Sequence, residues 1–310
     1  MKWYLVRKTG IFLASLFLVA SLTFFLMQAI PGDPFTQEQA IPEEILKAMY
    51  HHYGLDQPWY VQYGKYLKGL ITGNLGPSFK YQGRSVNEII MEGFPVSFAL
   101  GSFALTLATF FGLTLGVIAG FRHQRWQDHT AMIAAVIGIS VPSFILATFL
   151  QYIFAMKLDL LPVARWGSFS HAILPAMALA AMPTAFIARM TRASVVEVLQ
   201  SDYILTAKAK GLGVIKIAFS HVLKNALLPV ITYLGPLTAS IITGSFAIEK
   251  IFGIPGLGQW YVVSIMNRDY TVIMGTTVFY SFLLMVCVFC VDLLYCVIDP
   301  RMKKGNYVYR

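Results

Sequence analysis

The chain has 310 residues, of which 57% are hydrophobic and 13% are charged, and its mean hydropathy is +0.64. Soluble domains contain roughly 45–50% apolar and about 25% charged residues, so this composition indicates a protein that crosses a membrane several times. It excludes a disordered chain, which needs low hydrophobicity and high charge.

The net charge of +9 comes from 24 Lys and Arg residues against 15 Asp and Glu residues. A basic excess can indicate nucleic-acid binding, but here the charges lie between long apolar runs. In membrane proteins, basic residues concentrate in the cytoplasmic loops. We therefore expect a lipid bilayer around the chain and no nucleic-acid partner.

Six apolar stretches are long enough for transmembrane helices, which need about 20 residues. They are 9–30, 96–121, 130–156, 172–188, 227–248 and 272–297. The third is long enough to tilt or to break at Pro142, and the fourth is short and contains Pro175 and Pro183. The first follows basic residues, as a signal peptide would, but it is too long and lacks a clear cleavage site. We expect an uncleaved first span.

The charges between the spans predict the orientation. With the N-terminus inside, the inner segments hold the excess positive charge and the outer segments are close to neutral. By the positive-inside rule, both termini are expected in the cytoplasm. The predicted division is an N-terminus with the first helix (1–30), an external segment (31–95) and a five-helix core (96–310) containing the inner loop 189–226.

Asp292 is the one charged residue well inside a predicted span. Ionisable groups in a membrane often have a function. Asp292, however, lies roughly 7.5 Å from the inner end by helical rise, whereas a proton-coupled carrier is expected to place such groups nearer the midplane. We favour a carboxylate that reaches the interface or caps a neighbouring helix.

Several other residues resemble parts of chemical sites. Cys287, Cys290 and Cys296 lie in one apolar run, and without a further cysteine or nearby histidine they are interpreted as packing residues rather than a redox or metal pair. His51-His52 lacks the zinc-binding spacing and is interpreted as a solvated pair.

Catalytic motifs are missing from the sequence. Gly244-Ser245 could suggest an intramembrane protease, but no histidine is suitably placed, so small residues that ease helix packing are the better explanation. No Gly-x-x-x-x-Gly-Lys-[Ser/Thr] phosphate loop occurs. We therefore predict no catalytic residue, no metal site and no ATP hydrolysis on this chain.

The external segment contains a helix start near Pro42-Glu43-Glu44, with acids in the first turn, and turn residues at 73–77. It is rich in aromatic residues, namely Tyr50, Tyr53, Trp59, Tyr60, Tyr63 and Tyr66. Such residues suit a membrane–water interface or a partner surface. Both interpretations stay open.

The inner loop 189–226 contains a short predicted helix over 203–211. Asp202 can cap or charge-stabilise its start, and Gly211 can end it in the left-handed conformation. A helix of about nine residues is unstable alone in water, so its apolar residues need a partner surface. It can lie flat on the membrane, or it can transmit a push from a soluble partner to the membrane helices.

The inner loop also carries a family resemblance. The stretch from Arg192 through Glu197-Val198-Leu199, 202–212 and 221–229 closely resembles the EAA loop of peptide-class ABC importer permeases. Further matches in order along the chain are 30–34, 54–58, 76–81, 94–97, 252–258, 267–270 and 298–301. The chain most resembles the first permease subunit of oligopeptide transporters.

The resemblance implies an ABC importer permease fold with six transmembrane helices in the bacterial cytoplasmic membrane. The implied partners are a second homologous permease, two cytoplasmic ATPase subunits that hold ATP and Mg, and an external peptide-binding protein. The implied ATPase-docking residues of the coupling helix are Asp202, Tyr203, Ile204, Leu205, Thr206, Ala207, Ala209, Lys210 and Gly211. Leu205 departs from the family pattern, where Arg or Glu is common, so a hydrophobic contact would replace an ion pair.

The predicted function is therefore a permease subunit that moves peptides across the membrane. Candidate residues of the translocation path are Thr238, Ser240, Thr243 and Ser245, with core packing as the alternative role. The alternative function is a stand-alone carrier or channel driven by an ion gradient, for which inverted repeats and paired midplane charges are expected.

Overall fold

The computed structural model describes residues 2–31, 34–35 and 42–298; the motif residues Gly32, Asp33, Asp299, Pro300 and Arg301 lie outside them. Regular structure in the described part is helical, apart from an isolated bridge between Pro77 and Ser85. The helices are α1 (Lys2–Ala29), α2 (Glu43–Tyr53), α3 (Trp59–Thr72), α4 (Val86–Phe121), α5 (Trp126–Ser140), α6 (Ser143–Leu150), α7 (Phe169–Leu199), α8 (Asp202–Ala209), α9 (Val214–Ile217), α10 (Leu223–Ala226), α11 (Leu228–Ile242), α12 (Phe246–Phe252), α13 (Leu257–Asn267) and α14 (Tyr270–Ile298). π-Helical turns follow α6 at Gln151–Lys157 and α9 at Ala218–Val222.

Four unbroken helices of the described part are long and apolar enough to cross a membrane, and they belong to α1, α4, α7 and α14. Two further candidates are bent pairs. Trp126–Ser140 and Ser143–Lys157 meet at 103°, and Ile215–Ala226 and Leu228–Ile242 meet at 49°. With each bent pair counted as one span, the described residues contain six spans, which confirms the predicted all-α polytopic fold.

Three predicted boundaries differ from the structure. The second span starts at Val86 rather than 96, because Ser85 and Glu88 form a capping box and Pro95 is accommodated inside the helix. The fourth predicted span is not short, because the helix that contains it, α7, runs from Phe169 to Leu199 with Pro175 and Pro183 in its interior.

The predicted fifth span, 227–248, is wrong at its end. Helix α11 stops at Ile242, and Gly244 follows with a φ of 100°. Ser245 then starts the separate helix α12. Gly244-Ser245 therefore lies in the turn between α11 and α12, not within a span. The predicted break of the third span at Pro142 is confirmed by the 103° bend.

The core of the bundle is a close contact between α4 and α7. Every fourth residue of α4 along this contact is small and buried, from Ala104 through Ala108, Gly112 and Gly116 to Gly120. Small residues let helix backbones approach closely where both helices are surrounded by lipid. The seam extends toward the end of α7 that leads into α8.

Helix α1 lies along α14. Lys8 donates to Asp292 at 2.7 Å, and the rings of Phe12 and Phe282 meet at 5.8 Å. Asp292 thus has a cationic partner on the neighbouring helix, near one end of both helices; the contact is a side-chain ion pair and not the predicted helix cap.

The aromatic residues that lie on α3, in the predicted external segment, divide into two sets. Tyr63 and Tyr66 pack on Phe24 of α1, with ring centroids 5.2 and 5.6 Å away. In contrast, Trp59 and Tyr60 are 57% and 61% exposed. The first set holds α3 against α1. The second set leaves an aromatic surface for an interface or a partner, although the Trp59 ring also lies 5.9 Å from Phe25 of α1.

Candidate functional site

Helix α8 begins directly after α7. Its N-cap residue is Ser201, which has an extended backbone and accepts no capping hydrogen bond from the described residues. Asp202 is the first residue of the helix, so of its two predicted roles the structure is consistent with charge stabilisation and not with capping. Its carboxylate remains next to the positive end of the helix dipole, where negative charge is favourable.

The end of α8 is a glycine-terminated motif. Gly211 has a φ of 75°, its N–H donates to Lys208 O at 2.9 Å, and Leu212 N–H donates to Ala207 O at 3.2 Å. These two bonds form a Schellman motif, which satisfies carbonyls at a helix end. The predicted left-handed termination at Gly211 is present in the structure.

One face of α8 is buried. Ile204 is 0% exposed and Ala207 is 6% exposed. They belong to an apolar cluster, which we call the elbow cluster, formed by Val195, Ile204, Ala207, Ile217, Val222 and Ala226. The elbow cluster joins α7, α8 and the segment from α9 to α10, so α8 is held firmly against the rest of the chain.

The opposite face of α8 is exposed. Asp202, Leu205, Thr206 and Ala209 lie three and four residues apart, which places them on one side of a helix. Leu205 is 54% exposed, although burial of a leucine side chain is favourable by about 1.5–3 kcal/mol. This face has a leucine near its centre, with the Asp202 carboxylate and the Thr206 hydroxyl beside it.

Tyr203 and Lys210 flank this exposed face. Tyr203 is 44% exposed, and its hydroxyl accepts a hydrogen bond from Asn225 Nδ2 at 2.9 Å. Lys210 is exposed at the end of the helix. Of the nine predicted docking residues, the structure thus turns Ile204 and Ala207 inward and leaves the others at the surface.

The candidate path residues lie at and after the end of α11. The Thr238 hydroxyl donates to Leu234 O at 2.6 Å, Ser240 to Leu237 O at 2.9 Å, and Thr243 to Ser240 O at 3.2 Å. Ser240 is exposed, whereas Thr238, Thr243 and Ser245 are half-buried. Since the three hydroxyls on α11 bond to their own helix, this surface offers few strong polar groups.

A buried carboxylate next to this surface was not recognised from the sequence. Glu249 is 0% exposed. Its carboxylate accepts hydrogen bonds from the Ser97 hydroxyl at 2.7 Å and from Gln259 N–H at 2.8 Å. Burial raises the pKa of Glu249 above its ordinary value, and these hydrogen bonds oppose that effect. The contacts tie α12 to α4 and to the start of α13.

Glycines make room for that carboxylate. A Cβ at Gly256 would overlap the carboxylate of Glu249, and a Cβ at Gly244 would overlap both Glu249 and Ser97. The sequence feature that could have indicated the buried carboxylate is the series of glycines after Glu249, at 253, 256 and 258. Glu249 directly follows the predicted fifth span, and its partner Ser97 is distant in sequence, so local spacing does not show that this carboxylate is buried.

The remaining candidate histidines and the cysteine pair lie on different helices in the described part of the chain. His51 Nδ1 contacts Asp56 at 2.9 Å on the surface, and His171 contacts Ser168 at the start of α7. Cys287 and Cys290 are free thiols. Among the described residues, no three His, Cys, Asp or Glu side chains are grouped for a metal ion.

Comparison with known families identifies the fold. Residues 112–304 match the family described as "Binding-protein-dependent transport system inner membrane component", and residues 1–101 match the N-terminal part of such membrane components. The chain belongs to this family. It is a multi-pass inner-membrane permease, and its subunit role is transport.

Relatives of the permease transport peptides. It is 53% identical over 300 residues to the dipeptide transport system permease protein DppB of Bacillus subtilis, with 97% of each chain covered. It is 43% identical over 302 residues to the oligopeptide transport system permease protein OppB of Salmonella typhimurium, covering 97% of this chain and 99% of that one. The permease is a subunit of a peptide ABC importer, as the resemblance implied.

Solved transporters share the fold of the permease. The inward-facing MetNI methionine ABC transporter matches with a TM-score of 0.58 and 18% identity, over 68% of this chain and 96% of that chain. An amino acid ABC transporter matches with a TM-score of 0.50 and 16% identity, over 69% and 94% of the two chains. At these identities the similarity concerns the fold. An ABC importer permease in general works with ATPase and binding-protein partners.

Proposed function

We propose that α8 is the coupling helix through which an ATPase drives this permease. The observation that carries the proposal is the division of α8 into two faces. Ile204 and Ala207 fix it to the elbow cluster, while Leu205 remains 54% exposed at the centre of the opposite face. A partner groove that covers this face would bury Leu205 and supply the favourable contact that water does not.

Leu205 determines the kind of contact expected. Because leucine cannot form the ion pair that a charged residue would form at this position, we expect the ATPase groove to be apolar there. Asp202 lies beside Leu205 on the same face and can accept hydrogen bonds from the rim of the groove.

The proposed assembly contains this permease, a second homologous permease, two ATPase subunits and an external peptide-binding protein. ATP and Mg are expected on the ATPases, since the sequence contains no phosphate loop. Closure of the ATPases would move α8 and turn the permeases outward, and hydrolysis would reset them and deliver the peptide inside. Both termini and α8 would face the cytoplasm, which the basic inner segments support.

The proposed path runs beside α11. Thr232, Pro236 and Ser240 share its exposed face, and Thr243 lies near its end. Hydroxyls that bond to their own helix make a weakly selective wall. Such a wall suits peptides with varied side chains, so selectivity would reside in the binding protein.

The stand-alone ion-driven carrier is not favoured. Its strongest candidate group was Asp292, and this carboxylate pairs with Lys8 at 2.7 Å between α1 and α14. A paired carboxylate near a helix end is an anchor between helices rather than a site for a mobile ion.

Reconstitution tests the proposed function. Proteoliposomes containing the complete complex are supplied with binding protein, labelled dipeptide and ATP, and parallel samples lack one component or contain the permease pair alone under a proton gradient. We expect uptake only with ATPase, ATP and binding protein together. Uptake by the permease pair alone under the proton gradient would contradict the proposal.

A further inference from the structure

An ion pair between a buried carboxylate and a half-buried arginine joins α5 to the end of α7. Asp128 lies in the first turn of α5 and is 1% exposed. Arg192 of α7 donates from Nε to one carboxylate oxygen of Asp128, and from a terminal nitrogen to the other at 2.8 Å. Bidentate pairs of this kind are stronger and more directional than single hydrogen bonds.

The same carboxylate fixes the turn between α4 and α5. Gln124 has a φ of 61°, which is unfavourable for a residue with a side chain. Its N–H donates to Asp128 Oδ2 at 3.0 Å, and His123 Nδ1 lies 3.2 Å from that oxygen. The Asp128 carboxylate therefore binds both the turn after α4 and the Arg192 side chain of α7.

Arg192 stands close to the connection with α8. Val195, less than one helical turn further along α7, belongs to the elbow cluster with Ile204 of α8. A Cβ at Gly120 of α4 would lie 2.6 Å from Val195 Cγ1, so the Val195 side chain of α7 packs directly against the backbone of α4 here. This packing leaves little room for α4 to slide along α7.

We propose that Asp128 and Arg192 are a positioning pair that transmits movement of α8 to α5. The elbow cluster joins α8 to α7, and the ion pair joins α7 to α5 and to the turn after α4. A push on α8 then moves α4, α5 and α7 together instead of bending α7 alone. The inference rests on the proposed docking of α8 to an ATPase.

A purely structural role makes a different prediction. An anchor that only aids folding would lower the amount of assembled complex, but each assembled complex would use the normal amount of ATP per peptide. A pair that transmits movement would instead raise the ATP used per peptide, because α8 would move without carrying α5 along.

The experiment measures ATP hydrolysed per labelled dipeptide imported, in proteoliposomes with the complete complex and binding protein. Asp128→Asn keeps the size of the side chain and removes the charge, and Arg192→Lys keeps the charge and removes the bidentate geometry. Asp56→Asn is the matched control, because it alters an exposed carboxylate paired with His51 on another part of the chain. Uptake is normalised to the assembled complex.

We expect the ATP cost per peptide to rise about fivefold or more in Asp128→Asn, as the loss of a charge-assisted hydrogen bond predicts. The rise is smaller in Arg192→Lys and absent in Asp56→Asn. A normal ATP cost in Asp128→Asn overturns the proposal, whether or not assembly falls. If Asp128→Asn does not assemble, the ATP cost of Arg192→Lys decides in the same way.

Failure of this inference is distinct from failure of the proposed function. Photo-cross-linking from α8 to the ATPase tests docking directly and does not depend on Asp128. Cross-linking with a normal ATP cost in Asp128→Asn would refute only the positioning pair.

Discussion

The turn that ends α8 allows the most specific test by a single substitution. Gly211 closes the helix with a φ of 75°, in the left-handed region. None of the described heavy atoms lies within 4 Å of the Cβ that alanine would add there, beyond its chain neighbours. The effect of Gly211→Ala is therefore confined to the conformation of the backbone.

The magnitude follows from that conformation. The left-handed region costs an L-residue with a side chain roughly 1–2 kcal/mol. If the ATPase binds α8 only in its bent form, and the variant populates a straighter form when free, up to this much free energy is subtracted from docking. We expect the Kd between permease and ATPase to rise about 5- to 30-fold, since about 1.4 kcal/mol corresponds to a factor of ten.

The assay is a titration of the solubilised permease pair with fluorescent ATPase subunit. Gly213→Ala is the matched control: Gly213 is also exposed, nothing described crowds its Cβ, and it is not among the glycines with positive φ. Gly211→Asn should lie between wild type and Gly211→Ala, because asparagine tolerates the left-handed region better. Equal Kd values for Gly211→Ala, Gly213→Ala and wild type would refute a requirement for the bend.

Three further predictions follow from burial and charge. Leu205→Ala should weaken ATPase binding without changing thermal stability, whereas Ile204→Ala should destabilise the fold by about 2–5 kcal/mol; equal melting curves for the two variants would contradict the two-faced helix. Gly256→Ala pushes a methyl group into the buried carboxylate of Glu249 and should lower the melting temperature of the complex. Gly64→Ala, in open space on α3, should leave it unchanged. A normal melting curve for Gly256→Ala would contradict close packing around Glu249. Asp292→Asn should keep ATP-driven peptide uptake, and abolished uptake with intact assembly would restore the proton-carrier alternative.

Hydropathy and turn residues predicted much of the fold. The last span was placed at 272–297 and the structure has α14 at Tyr270–Ile298. Pro142 marked a real break, and Gly211 marked a real helix end. These features depend on local chain properties, which a single sequence contains.

Two of the three boundary errors occurred where a helix continues past the apolar stretch, and the third occurred where α11 stops at Ile242, before its apolar stretch ends. Helix α4 starts ten residues before the predicted span, and α7 extends to Leu199 past the predicted end at 188. Hydropathy reports where lipid contact ends, whereas hydrogen bonds and caps determine where a helix ends. The prolines inside α7 suggested a short span. The helix nevertheless continues through both of them, because packing against α4 outweighs the tendency of proline to break a helix.

The two buried carboxylates depend on distant partners. Glu249 binds Ser97, and Asp128 binds Arg192, each across a long stretch of chain. In the sequence each acid lies just outside a predicted span, Asp128 before the third and Glu249 after the fifth. Burial became visible only when the helices were assembled around it.

Site-specific photo-cross-linking tests the central claim, that the exposed face of α8 docks on an ATPase. A photoreactive amino acid is placed at Leu205 or Ala209 on that face, and at Ile71 of α3, which is 87% exposed, as the control. We predict a covalent adduct with the ATPase subunit from the two α8 positions and none from Ile71. The absence of an adduct at both α8 positions, in a complex that still imports peptide with ATP, would contradict the claim.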